Sequence, residues 1–241
     1  MNEIEKAVRI LKNGGLVAFP TETVYGLGAD ACNREACLNI FKAKGRSKDN
    51  PLIVHVTSLS QACTIAEFND DAIKLAEFWP GPLTLVLPKK EDSCVAGAVT
   101  SNLKTIAIRI PSGKTALELI NASGSPIAAP SANKSGQLSS TSHHHVEKNF
   151  GDDIFVLKSE KQTVYGLEST IVDLTVKVPI ILRYGFITPE AISSLLGKKV
   201  EIASKGSSVK APGMLHSHYA PKTCLRINAE DLCRNEVGLN F

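Results

Sequence analysis

No apolar run in this chain approaches the length of a membrane span. The first residues, Met1-Asn-Glu-Ile-Glu-Lys, lack the apolar core of a secretory leader. The six cysteines (Cys32, Cys37, Cys63, Cys94, Cys224 and Cys233) contain no Cys-x-x-Cys pair. That scatter argues against a zinc site and a disulfide framework, and it predicts reduced thiols in a cytoplasmic protein. A net charge of +3 is too small for an unspecific polycation, so any nucleic-acid role needs a local patch. The P-loop pattern Gly-x4-Gly-Lys-Ser/Thr is missing, as is Gly-x-Gly-x-x-Gly. No serine sits in the Gly-x-Ser-x-Gly elbow of hydrolases, and no internal repeat is visible.

What is there is an ordinary globular composition, 43% hydrophobic and 21% charged. A chain of 241 residues forms one large domain, or one domain with a small appendage. The patterning predicts an α/β fold with a mixed sheet over roughly the first 200 residues. Helices are expected at 3–13, from an N-cap at Asn33 to Lys42, at 59–67, 70–78, 114–121 and 143–149, and from Thr188-Pro189 to Gly197. Strands are expected at 16–19, 52–56, 83–87, 105–110, 126–129, 154–157, 169–174, 179–183 and 200–203. In 105–110, Ile106, Ile108 and Ile110 face one way, and Thr105, Ala107 and Arg109 the other. Residues 204–222 read as a linker, and 223–241 are too few to fold alone.

Phe19-Pro-Thr-Glu-Thr-Val-Tyr-Gly-Leu-Gly-Ala-Asp30 reads as a polar loop leaving the first strand. Ligands gather at such strand ends in α/β proteins. Gly26 and Gly28 suit a positive φ or a close backbone approach, although a plain turn before a helix fits equally. Lys42, Lys44, Arg46 and Lys48 recur at every second residue, so an extended segment puts four cations on one side, suited to a triphosphate or a nucleic-acid backbone. A solvated helix end explains the same residues. His55 lies in an apolar strand, where a satisfied core histidine is the commoner case. Arg109 and Arg183 put guanidiniums on apolar strands, which calls for an anionic partner, either a ligand or a structural carboxylate. Pro130-Ser-Ala-Asn-Lys-Ser-Gly136 is a loop whose N–H groups suit phosphate. His143-His-His145 suggests a metal, but adjacent residues do not converge on one ion and no carboxylate or cysteine has the expected spacing.

Taken in order, Phe-Pro-Thr-Glu-Thr-Val-Tyr-Gly-Leu-Gly, Lys-Gly-Arg-Ser-Lys-Asp-Asn-Pro-Leu, Trp-Pro-Gly-Pro-Leu-Thr, Ile-Ala-Ile-Arg-Ile-Pro, Ala-Pro-Ser-Ala-Asn-Lys-Ser-Gly, Gly-Leu-Glu-Ser-Thr-Ile-Val-Asp and Ile-Leu-Arg-Tyr-Gly resemble the threonylcarbamoyl-AMP synthase family. The resemblance covers about residues 5 to 200. It implies a YrdC-like fold: a twisted, open mixed sheet with flanking helices around a concave basic pocket. It implies a catalytic domain over 1–203, a linker or lid over 204–222, and the start of a truncated second domain over 223–241. The implied reaction joins L-threonine, bicarbonate and ATP, with Mg2+ carried on the ATP, into threonylcarbamoyl-AMP and pyrophosphate. The implied partners are tRNA and downstream tRNA-modification proteins, with no membrane. The resemblance assigns Thr23, His55, Arg109, Ala129 and Ser169 to threonine. It assigns Arg46, Asn50, Thr105, Ser131, Ser139, Arg183 and Tyr219 to the nucleotide, with Lys44 and Arg46 as the catalytic cations. Two other readings stay open: a double-stranded RNA-binding module, and a carbamoyltransferase-type domain, whose accompanying zinc-finger cysteines this chain lacks.

Overall fold

The computed structural model describes residues 2–159 and 163–204, together with Pro212, Arg226, Asp231, Cys233, Arg234 and Val237. The linker, the segment 223–241 and Tyr219 therefore fall almost wholly outside the described residues. Helix α1 (Glu3–Lys12) opens on Asn2, which forms a capping box with Glu5, and it buries Ala7 and Leu11. Strand β1 (Val17–Phe19) follows. The chain crosses a polar loop and returns as β2 (Gly26–Asp30), antiparallel to β1 with Phe19 opposite Gly26. This corrects the sequence reading, which has loop throughout 20–30. The reason is packing. Gly26 and Gly28 have ordinary φ, and a Cβ at Gly28 would lie 2.7 Å from the Phe19 ring and 2.8 Å from Ile127. The glycines serve close approach, and the low strand propensity of Gly-Leu-Gly hides the element.

Asn33 caps α2 (Arg34–Lys44), which ends at Gly45 with φ of 63°. This is a second correction. Lys42 and Lys44 belong to a helix rather than an extended segment, so the four cations do not share a side. Lys44 and Arg46 are buried, and Lys42 and Lys48 are exposed. Then come β3 (Ile53–His55), α3 (Leu59–Ile65), α4 (Asp70–Leu75) with a 3-10 turn, and β4 (Leu83–Pro88). A short α5 (Gly97–Thr100), absent from the sequence reading, precedes β5 (Thr105–Arg109). After α6 (Lys114–Ser123) and β6 (Ile127–Ala128), the loop 129–141 leads to α7 (His143–Phe150) and β7 (Phe155–Val156). Strands β8 (Thr170–Asp173) and β9 (Ile180–Arg183), helix α8 (Pro189–Leu196) and β10 (Glu201–Ile202) complete the described elements.

The strands form one mixed sheet in the order β10-β9-β8-β4-β5-β3-β6-β2-β1-β7. Helices α1 and α6 cover one part of it through Ala7, Leu11, Leu119 and Ile120 against Val17, Phe19 and Ile127. The larger core joins Ile106, Ile108 and Ile110 to α2, α3 and α4, as the alternation predicts. On the opposite face of the central strands, Ile53, Val86, Ala107 and Ile171 form a small cluster, and among the described residues no helix side chain joins it. That concave, uncovered face is where polar side chains converge.

Gly28→Ala tests the packing argument directly. A methyl group there meets two fixed side chains, so the variant is expected to lose about 1–3 kcal/mol in chemical denaturation. An unchanged midpoint would show that β2 is not closely packed against Phe19.

Candidate functional site

A cavity opens on that face. Its floor is the parallel pairing of β3 with β5, which sets His55 beside Arg109 and Ile53 beside Ala107. Thr21 folds the β1–β2 loop over this floor: its hydroxyl lies 2.8 Å from that of Thr23 and donates to the Val24 carbonyl at 2.7 Å. The loop thereby carries Glu22 and Thr23 to Arg109. The guanidinium, 3% exposed, donates to Glu22 Oε1 at 2.5 Å, to Thr23 Oγ1 at 2.9 Å and to the Gly81 carbonyl at 3.1 Å. Three of its five N–H groups are thus taken by protein, and the structural-carboxylate reading of Arg109 applies as well as any ligand role. Burial lowers the Arg109 pKa, and the Glu22 carboxylate opposes that shift. The other oxygen, Glu22 Oε2, is buried and has no hydrogen-bond partner among the described residues.

His55 packs edge-on against Phe19, with ring centroids 6.2 Å apart. Burial, and then the Arg109 charge, push its pKa down to about 3, so the imidazole is neutral at pH 7. Its Nδ1 is another buried atom without a hydrogen-bond partner among the described residues. The expectation of a satisfied core histidine holds in part: His55 is buried and hydrogen-bonds to the main chain at Ile53 and Ile127, while Nδ1 has no partner among the described residues. Across the cavity, Ser169 Oγ lies 2.7 Å from the Thr84 hydroxyl. Arg183 donates to the Ser169 carbonyl at 3.0 Å and to its hydroxyl at 3.1 Å. Arg46 is held by the carbonyls of Asn50, at 3.1 Å, and Pro51, at 2.9 Å.

All five residues assigned to threonine (Thr23, His55, Arg109, Ala129 and Ser169) line this one cavity, as do Arg46, Ser131 and Arg183 of the nucleotide set. Asn50, Thr105 and Ser139 do not line it, and Tyr219 lies outside the described residues. Asn50 is buried behind Arg46, and its Oδ1 has no partner among the described residues. Ser139 donates to Glu168, a lining residue. Thr105 is at the far end of β5, four residues or about 13 Å from Arg109 at strand rise. Lys44 does not line the cavity. Its ammonium donates to the carbonyls of Ser131, at 2.6 Å, and Asn133, and so clamps the loop after β6. Burial, and then the nearby Arg46 charge, hold the Lys44 pKa well below the usual lysine value. Sequence reasoning assigned no role to Glu168, although it directly precedes Ser169. Thr21, Tyr25 and Pro212 are further lining residues without an assigned role.

The histidine run is corrected in one respect. Glu147, one turn along α7, brings a carboxylate to His143 and His144, and the candidate ligand atoms lie within 4.8 Å of one another. Lys158 already pairs with that carboxylate at 2.9 Å, and none of these residues lines the cavity.

Residues 9–185 match the Sua5–YciO–YrdC family model, described as telomere recombination. Residues 187–237 match a model described as threonylcarbamoyl-AMP synthase, C-terminal domain. The chain belongs to the Sua5–YciO–YrdC family. The threonylcarbamoyl-AMP synthase of Pyrococcus abyssi is 48% identical over 225 residues, covering 91% of this chain and 66% of that protein. The Bacillus subtilis enzyme of the same name is 42% identical over 230 residues, covering 93% and 66%. The chain therefore spans just under two thirds of the length of these relatives. The crystal structure of P. abyssi Sua5 complexed with L-threonine superposes with a TM-score of 0.86 at 46% identity, covering 92% of this chain and 67% of that one. The second model's match begins before α8, yet α8 packs on α4 and β10 pairs with β9, so both belong to the sheet body.

The neutral His55 gives a pH signature. Its folded pKa is depressed from the usual 6.5 to about 3, so the unfolded chain takes up the proton first as pH falls. Its contribution to stability is complete above about pH 6.5 and declines below it, with a limiting slope of about 1.4 kcal/mol per pH unit. Denaturant unfolding between pH 7 and 4 should show this slope in the parent and lose it in His55→Gln. Equal slopes in both proteins would place the imidazole in contact with water.

Proposed function

We propose that this chain carries out threonylcarbamoyl-AMP synthesis, joining L-threonine, bicarbonate and ATP with release of pyrophosphate. The observation that carries this reading is the convergence of Arg46, Arg109 and Arg183 with Thr23, His55 and Ser169 on one concave face. The L-threonine complex of a relative that is 46% identical supports it further. Arg46, Arg109 and Arg183 line one cavity, with Arg109 paired to Glu22, and guanidiniums suit a ligand that carries carboxylate or phosphate groups.

The chemistry accounts for each residue type. The threonine amine attacks the carbon of bicarbonate, with loss of water, or of its dehydrated form CO2, and gives a carbamate. A carbamate oxygen then attacks the α-phosphorus of ATP, and pyrophosphate leaves, which makes the step a nucleotidyl transfer. Negative charge builds on the phosphate oxygens and the leaving group, where Arg46 and Arg183 would stabilise it. Arg109 retains two N–H groups for the threonine carboxylate. Lys44 acts by holding the Ser131–Asn133 backbone in place. Magnesium would travel on the triphosphate, since that ion is commonly bound by substrate phosphates and one or two carboxylates. Glu168, a carboxylate in the cavity lining, would be available to that ion. The product is a labile mixed anhydride, so exclusion of water matters. Pro212, buried and lining the cavity, supports a reading of 204–222 as its cover. The reading extends to a cytoplasmic role in tRNA modification next to the anticodon, with downstream modification proteins as partners.

Incubation with ATP, bicarbonate and labelled threonine should yield threonylcarbamoyl-AMP and pyrophosphate. No product, from folded protein that binds both ligands, would contradict the reading. Arg46→Ala should lower ATP affinity and pyrophosphate release together, by roughly ten- to hundred-fold, the cost of about 1.5–3 kcal/mol for a charged hydrogen bond. Unchanged steady-state kinetics would remove Arg46 from the phosphate side.

A further inference from the structure

Cys32 follows β2 in the turn that starts α2, and its N–H donates to Asp30 Oδ1 at 2.9 Å. Cys94 lies in the loop between β4 and α5. The two are 62 residues apart in the chain, yet their sulfurs lie 2.8 Å apart. That is within ~1 Å of a disulfide bond length. The backbone already holds the two turns together, because the Ala96 N–H donates to the Ala31 carbonyl at 2.9 Å. Both side chains are exposed, so a dissolved oxidant reaches them. Cys37 differs in being buried; burial raises its thiol pKa and also that of Cys32, to which the Cys94 thiol adds.

We propose that Cys32 and Cys94 form a reversible disulfide, made by exchange with a low-molecular-weight disulfide. One cysteine thiolate attacks the small disulfide, forms a mixed disulfide and releases one small thiol. The second cysteine then attacks the protein-side sulfur, closes the Cys32–Cys94 bond and releases the second small thiol. Two electrons and two protons pass from the cysteine pair to the oxidant, and an excess of small thiol reverses the exchange. The bond would tie the start of α2 to the segment that leads into α5. That segment in turn supports the residues around Arg46: the Val99 carbonyl accepts from the Leu52 N–H at 2.8 Å, and Ser101 Oγ donates to the Lys48 carbonyl at 2.6 Å. Oxidation therefore stiffens the frame on which the cavity's Arg46 stands.

The test uses the full chain, reduced and then exposed to oxidised glutathione. Peptide mapping without reductant should find Cys32 joined to Cys94, at a mass about 2 Da below the reduced pair. The melting temperature should rise by about 5–10 °C, because the link closes a long loop in the unfolded chain, and dithiothreitol should reverse the gain. Cys32→Ser and Cys94→Ser should each abolish the link and the gain while keeping the melting temperature of the reduced parent. Glutathione adducts on Cys32 and Cys94 without the internal bond would overturn the proposal, as would a link to any other cysteine. These readouts do not involve catalysis, so failure of the synthase reading leaves them unchanged.

Discussion

The structure depends on one buried ion pair. Glu22 and Arg109 have side chains only 5% and 4% exposed, and they meet at 2.5 Å from positions 87 residues apart. Either charge alone would carry a desolvation cost of several kcal/mol. The Glu22 carboxylate opposes the burial that lowers the Arg109 pKa, and Arg109 is further held by its hydrogen bonds to Thr23 and Gly81. The pair therefore fixes three segments at once: the β1–β2 loop, the end of β5, and the turn at Gly81 before β4. Those segments make the floor and one wall of the cavity. The same geometry limits what Arg109 offers a ligand, because its Nε and one N–H on each terminal nitrogen are already engaged.

Around that pair, main-chain and hydroxyl acceptors help to orient the other two guanidiniums. Arg46 donates to the Asn50 and Pro51 carbonyls, and Arg183 to the carbonyl and hydroxyl of Ser169. His55, kept neutral by burial and by Arg109, adds no charge of its own to the cavity. A low-dielectric wall strengthens the remaining field toward bound carboxylate and phosphate. Lys44 contributes at one remove by anchoring the loop that presents Ser131.

Much of the fold was legible in the sequence where local signals were strong. The alternation in 105–110 placed Ile106, Ile108 and Ile110 in the core and Arg109 opposite them. Asn33 and Thr188-Pro189 marked helix starts that the structure retains. Strand β2 was not legible, because glycines chosen for contact with Phe19 carry no strand propensity. The spacing of the basic segment misled, since α2 runs on through Lys44 and turns its neighbours to different sides. The site residues, threonine and nucleotide sets alike, came from resemblance, with support for His55, Arg109, Arg183 and Ser169 from their odd placement on apolar strands. The partners Glu22 for Arg109 and Cys94 for Cys32 were invisible, because both contacts join distant parts of the chain that only the sheet order brings together.

The measurement closest to the central claim is a double-mutant cycle on Glu22 and Arg109, read by denaturant unfolding. If the pair organises the site, Glu22→Gln and Arg109→Met should each lose about 3–5 kcal/mol, since each leaves a buried charge without its counterion. The double variant should then lose no more than the worse single one, with a coupling energy of a few kcal/mol. Additive losses would contradict the account, because they would mean that the two charges are stabilised independently and that the floor of the cavity rests on something else.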